Sequence, residues 1–128
     1  MLNLARYGTR DLTRAKTFYD AIAPLLGASR VLDRPEVAGY KSPDGGMLLI
    51  GRPNAGEASV GNGTQMGLSA PSRAVIDAVY AKAMELGGTC EGPPGVRGDD
   101  PNGFYAAYFR DLDGNKLMVF RHGPPDAD

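Results

Sequence analysis

Few side chains in this sequence can do chemistry, and their scarcity narrows the choices. His122 is the one histidine, so paired-histidine zinc motifs, facial triads and other multi-histidine centres are excluded. Cys90 is the one cysteine, so no internal disulfide can form, and a reducing, cytoplasmic location is expected. No base lies near Cys90 in sequence, so it reads as a small buried hydrophobe rather than a nucleophile. Serine chemistry has no Gly-x-Ser-x-Gly elbow to work from. Asp111-Leu112-Asp113-Gly114-Asn115 is faintly like the start of a calcium loop. Its glycine comes at the fourth place, however, and His122 stands at the twelfth, so a hairpin turn is the better reading. Gly61-Asn62-Gly63 precedes a strand rather than a helix, which excludes a dinucleotide fingerprint. Asn62-Gly63-Thr64 is a glycosylation acceptor by letters only.

What remains is binding chemistry, and it depends on the elements that carry it. Residues 2–10 alternate apolar and polar and end at Asp11, a good helix N-cap. Leu12, Ala15, Phe18, Tyr19, Ile22, Leu25 and Leu26 follow at helical spacing, with Pro24 ending or kinking the helix and Gly27 closing it. Strands are expected at 28–33, 37–42 and 47–52, the last two joined across Pro43-Asp44-Gly45-Gly46. The turn-rich stretch 53–63 reads as a linker. Then the pattern starts again. A strand is expected over 64–70, and a helix capped by Ser72 with Val75, Ile76, Val79, Ala83 and Leu86 inward. Gly87-Gly88 stops that helix, and strands are expected at 89–92, 105–110 and 116–121. Leu26-Gly27-Ala28-Ser29 is echoed by Leu86-Gly87-Gly88-Thr89, and Asp44-Gly45-Gly46-Met47-Leu48 by Asp113-Gly114-Asn115-Lys116-Leu117. Matched order and spacing predict one strand–helix–three-strand unit built twice, as modules 1–52 and 64–122 with a tail at 123–128. The whole of 1–128 then reads as one domain.

Alternation along the strands places candidate contacts. Leu4, Arg6 and Gly8 share one face of the first strand, with Ala5, Tyr7 and Thr9 turned to the helix. Gln65, Gly67 and Ser69 share a face of the fifth, Tyr108 and Arg110 line the seventh, and Met118, Phe120 and His122 the last. Such a cleft fits a small, partly aromatic ligand bearing an acid or phenol, held at Arg6, Gln65, Tyr108, Met118, Phe120 and His122. Residues 92–104 form the longest irregular stretch, a loop from which Arg97 would supply a second anion contact. Against each stands a plainer reading: Arg6 as a rim charge, His122 and Arg97 as surface, Met118 and Leu49 as core.

The stretch Asp11-Leu12-Thr13-Arg14-Ala15-Lys16-Thr17-Phe18-Tyr19 resembles the first helix of the glyoxalase/bleomycin-resistance/dioxygenase (vicinal oxygen chelate) superfamily. Gly61-Asn62-Gly63-Thr64 and Arg110-Asp111-Leu112-Asp113-Gly114-Asn115-Lys116-Leu117 resemble its second-half signatures, so the likeness runs over about 1–122. It implies an α+β fold of two βαβββ modules, whose curved mixed sheets pair around a cleft with one helix per module outside. In metal-using members the ligands come from matching strands of the two halves. The corresponding positions here are Leu4, Leu49, Gln65 and Met118. Only Gln65 has a donor suited to a hard cation, so no metal and no other cofactor is expected. The resemblance therefore points to metal-independent ligand binding, as in the bleomycin-resistance proteins. The alternatives are a glyoxalase- or isomerase-type enzyme with its groups moved to Arg6, Tyr108 or His122, or an interaction module with a filled cleft.

Totals set the outer bounds. At 128 residues, 42% hydrophobic and a net charge of −1, the chain can bury a core without staples and shows no sign of disorder. Lys and Arg are scattered, which argues against nucleic acid. No apolar span approaches membrane length and no secretory leader is evident. Open sheet edges and a half-covered cleft lead us to expect a homodimer.

Overall fold

The computed structural model describes residues 1–128. The first module runs β1 (Leu4–Gly8), α1 (Leu12–Ile22), β2 (Ser29–Asp33), β3 (Val37–Lys41) and β4 (Met47–Gly51). The second runs β5 (Met66–Ser69), α2 (Arg73–Glu85), β6 (Thr89–Arg97), β7 (Phe104–Arg110) and β8 (Lys116–His122). Both helices start where side-chain oxygens reach orphan amides: Asp11 accepts from the Arg14 N–H and Ser72 from the Val75 N–H. Pro24 ends α1 at Ile22 and converts the chain into a 3₁₀ turn over Ala23–Leu26. Gly27 then reverses it in the left-handed region, at φ 73°.

Each module folds into a four-stranded mixed sheet, in the orders β1-β4-β3-β2 and β5-β8-β7-β6. In each, the first strand runs parallel to the last and the other neighbours are antiparallel. The sheets share no ladder, and β1 and β5 are both edges. One core joins the modules from the helix side. Tyr7, Phe18, Tyr19, Ile22 and Ile50 of the first meet Ile76, Val79, Phe109, Leu117 and Val119 of the second, all at most 6% exposed. The opposite faces of both sheets are left uncovered, and Leu4 and Val31 stand 47% and 56% exposed.

The modules are also clasped through polar groups at the Asp111–Asn115 turn. Asp111, 5% exposed, accepts from the Tyr19 hydroxyl at 2.6 Å, from the Asp113 and Asn115 N–H groups and from the Asn115 Nδ2, each at 2.9 Å. Asp113 takes the Thr9 hydroxyl and the Arg10 N–H. Asn115 Nδ2 also donates to the Gly8 carbonyl, and the Tyr7 hydroxyl to the Lys116 carbonyl. A turn read as a plain hairpin is thus the joint between the halves.

Three expectations are corrected. Residues 92–97 are not irregular: β6 continues through them, with Gly92 opposite Tyr108, Gly95 opposite Ala106 and Arg97 opposite Phe104. The register shift between Gly92 and Gly95 absorbs Pro93 and Pro94, which cannot donate to a ladder, and another lies between Cys90 and Gly92. Only 98–103 remains as a turn, so Arg97 sits on a strand and not on a loop. Cys90 is exposed rather than buried. Leu25, expected on the inner face of the first helix, falls in the 3₁₀ turn and is 36% exposed.

Candidate functional site

Register decides which of the expected contacts meet. In the second sheet Gly67 pairs with Met118 and Ser69 with Phe120, while Tyr108 pairs with Met118 and Phe104 with His122. Gln65, Tyr108, Met118, Phe120, His122 and Arg97 therefore all belong to one uncovered face. Gln65 lies just ahead of β5, its amide 3.9 Å from the Met118 sulfur. Gly67 makes room there: a Cβ on it would come 3.0 Å from the Phe120 ring and 3.2 Å from the Met118 methyl. With no side chain at Gly67, both partners lie across β5 at that position.

An aromatic row crosses this face. The Phe104 ring is 5.9 Å from Phe120 and 4.7 Å from the His122 ring. Tyr108 carries two cations, the Arg97 guanidinium 5.5 Å and the Lys116 ammonium 5.6 Å from its ring centroid. Arg97 is steadied by a bond to the Pro93 carbonyl, and Arg110 is tied to Glu91 at 2.5 Å. That pairing holds the Glu91 carboxyl below its ordinary range. Arg97 and Lys116 have no carboxylate within ion-pairing reach. Sequence reasoning missed Lys116 and Phe104. Alternation from Met118 would have found the first, and the second was hidden by ending the loop at residue 104.

Arg6 stands apart. It belongs to the uncovered face of the first sheet, and its guanidinium donates to the Arg52 carbonyl at 2.7 Å. It lies over Gly51, where a Cβ would meet it at 2.7 Å. Its surroundings are a rim pocket of about 400 Å³ with Arg34, Glu36 and Arg52 and nothing from the second sheet. The two anion contacts expected of one cleft are therefore on different sheets.

The positions that correspond to metal ligands in metal-using relatives hold Leu4, Leu49, Gln65 and Met118. They bring one amide and one thioether together, and the leucines have no lone pair to give. Nowhere in the chain do three His, Cys, Asp or Glu side chains gather in a geometry that could hold an ion. These residues do not fit a divalent metal.

Another cavity lies where the two sheets meet. About 330 Å³ opens in the seam between β1 and β5, with Tyr19, Ile22 and Tyr40 at its floor, and Gln65 is the one expected contact among its lining residues. The phenols at the floor are spoken for. Tyr19 is held well above its ordinary pKa by burial and then by Asp111, and Tyr40 is raised by burial and by its bond to Asp20.

Comparison with known proteins places this geometry. A family model described as Glyoxalase/Bleomycin resistance protein/Dioxygenase superfamily matches residues 2–119. A glyoxalase/bleomycin resistance protein from Albidiferax ferrireducens is 38% identical, with a TM-score of 0.84 over 94% of this chain and 97% of that one. A lactoylglutathione lyase from Agrobacterium tumefaciens is 24% identical, with a TM-score of 0.63 over 94% and 92%. A family enzyme from Burkholderia phytofirmans is 13% identical, with a TM-score of 0.69 over 92% and 95%; these last two show the fold alone. No curated protein matches. No helix is long and apolar enough to cross a membrane.

Proposed function

The chain belongs to the glyoxalase/bleomycin resistance protein/dioxygenase superfamily, and we propose that within it this protein binds a small aromatic anion without a metal. One observation carries the reading. Tyr108 offers a half-buried ring flanked by two cations, neither of them in an ion pair, in line with Met118, Phe120 and Phe104. An aromatic ring can stack along that row while its acid group meets Arg97 or Lys116. Arg6 adds no contact to this face within one chain. In a homodimer that lays the first sheet of one copy over the second sheet of the other, Arg6 would close the cleft from above.

The donor chemistry supports metal independence, because one amide beside a thioether cannot hold the nickel, zinc, manganese or iron that relatives use. An enzymatic reading gains nothing from the register. Tyr108 stands opposite Met118 and His122 opposite Phe104. Four residue rises part them, about 13 Å along the strand, too far for an acid–base pair on one bond.

A thermal-shift screen of small acids, phenols and drugs tests the proposal. Aromatic carboxylates should raise the melting temperature in a saturable way, with the effect lost in Tyr108→Ala and weakened in Arg97→Ala. Hits that are neutral, or that bind Tyr108→Ala unchanged, would refute it. Arg6→Ala should weaken binding only where the dimer forms.

A further inference from the structure

The internal repeat fails at the turn before the last strand of each half. In the second half, Asp113 of the Asp113-Gly114-Asn115 turn reaches across the seam to Thr9 and Arg10. Its counterpart Asp44, in Asp44-Gly45-Gly46, accepts only from the Ser42 hydroxyl and the Gly46 N–H within its own turn. One end of the seam is therefore clasped and the other is not. At the unclasped end lies the cavity of about 330 Å³, beneath the Ser42–Gly46 turn.

The walls of this cavity have a definite chemistry. Thirteen of its twenty lining residues are apolar, among them Ala5, Leu48 and Leu68. Its floor reaches core side chains exposed by only 1–4%: Ile22, Tyr19 and Tyr40. Close-packed interiors do not leave such space without loss of contacts. The long sides are two unpaired strand edges. Met47 N–H donates to the Asn3 carbonyl and Thr9 N–H to the Gly51 carbonyl, so odd-numbered residues of β1 bond to β4. Leu4 and Arg6 thus turn their amides and carbonyls toward the seam. Ala70 N–H donates to the Phe120 carbonyl, so Gln65, Gly67 and Ser69 do the same from β5. Asp44, at the mouth, is the one charged side chain in the lining. Its carboxyl is held below its ordinary range by the Ser42 hydroxyl and the Gly46 amide, so it stays negative there.

We propose that the seam is a second binding site, which adjoins the Tyr108 face at Gln65, Gly67 and Ser69 but holds none of its aromatic or cationic groups, for a neutral and largely apolar molecule with one or two hydrogen-bond donors. An anion would meet Asp44 and an apolar wall with no cation to compensate. A neutral ring bearing an N–H or O–H group fills the volume and finds free strand carbonyls on both sides. The volume lies within the roughly 300–1,000 Å³ usual for small-molecule sites. The two sites differ in the charge they accept, so either can fail without the other.

The full chain is titrated separately with indole and with benzoate while backbone amide signals are followed by NMR. Indole should shift the amides of Ala5, Ile22, Leu48 and Leu68 in a saturable way, and benzoate should leave them in place. Ala5→Leu and Ala28→Leu, which fill the cavity from two sides, should each weaken indole binding at least tenfold. Val31→Ala, outside the cavity lining, should not. If both filling variants fail to fold, the map of shifts on the unaltered protein decides. Indole shifts centred on Tyr108 and Phe120 would overturn the proposal. So would unchanged affinity in folded filling variants, or seam signals that respond to protein concentration and not to indole, since a second copy would then occupy the cavity.

Discussion

Replacing Asp111 tests whether the turn joining β7 to β8 clasps the two modules. Its carboxylate is 5% exposed and takes four donors: the Tyr19 hydroxyl, two backbone N–H groups and the Asn115 amide. In Asp111→Ala these lose their acceptor where little water can enter. An orphaned buried donor costs about 1–3 kcal/mol. Taking the low end of about 1 kcal/mol for each of the four donors, the loss is about 4 kcal/mol, in the range of the larger single-site effects. For a chain of this size that is roughly 12–20 °C in Tm. Tyr19→Phe removes one donor and leaves the carboxylate three, so it should cost only about 1 kcal/mol. The two should not add. With Asp111 already alanine, Tyr19→Phe removes a stranded hydroxyl and should be neutral or slightly stabilising. Urea unfolding followed by circular dichroism gives all four corners of the cycle. A cost below about 1.5 kcal/mol for Asp111→Ala, or equal costs for the two single variants, would refute the reasoning.

Three further outcomes follow from the same structure. Light scattering should give twice the 13.5 kDa of one chain at micromolar concentration, since the apolar faces around Leu4 and Val31 stand open; a monomer mass would remove Arg6 from the ligand site. Elemental analysis should find no stoichiometric transition metal, and chelator should change neither Tm nor ligand affinity; one metal per chain bound beside Gln65 would move the enzymatic reading ahead. Stability should hold to about pH 10, the ordinary tyrosine value, and then fall. Burial, reinforced by neighbouring carboxylates, raises Tyr7, Tyr19 and Tyr40 and pushes Tyr105 up to about 12. Folding thus favours the neutral phenols, and the contribution is lost as pH rises through the folded values. A pH-independent unfolding free energy between 10 and 12 would contradict this.

Local signals were enough wherever the determinant lies within a few residues. Asp11 and Ser72 as caps, Pro24 and Gly27 as stops and the inward stripe Leu12–Ala15–Phe18–Tyr19–Ile22 depend on short-range geometry, and all recur in the structure. Alternation likewise put Gln65, Tyr108, Met118, Phe120 and His122 on one face, because side chains on a strand repeat every two residues. The resemblance carried the order of the modules. Register and partnership were not legible. Arg97 read as loop because Pro93 and Pro94 look like breakers; only pairing with β7 shows that a shift in register between Gly92 and Gly95 absorbs them. Arg6 read as a cleft residue because nothing in sequence tells that Gly51 opens a place for its guanidinium beside the Arg52 carbonyl. The Asp111 clasp and the seam cavity arise between residues 60 or more positions apart, such as Tyr19 with Asp111 and Leu4 with Leu68. How one module settles on the other is set by which buried donors find acceptors and which apolar walls close. That balance exists only once both halves are folded.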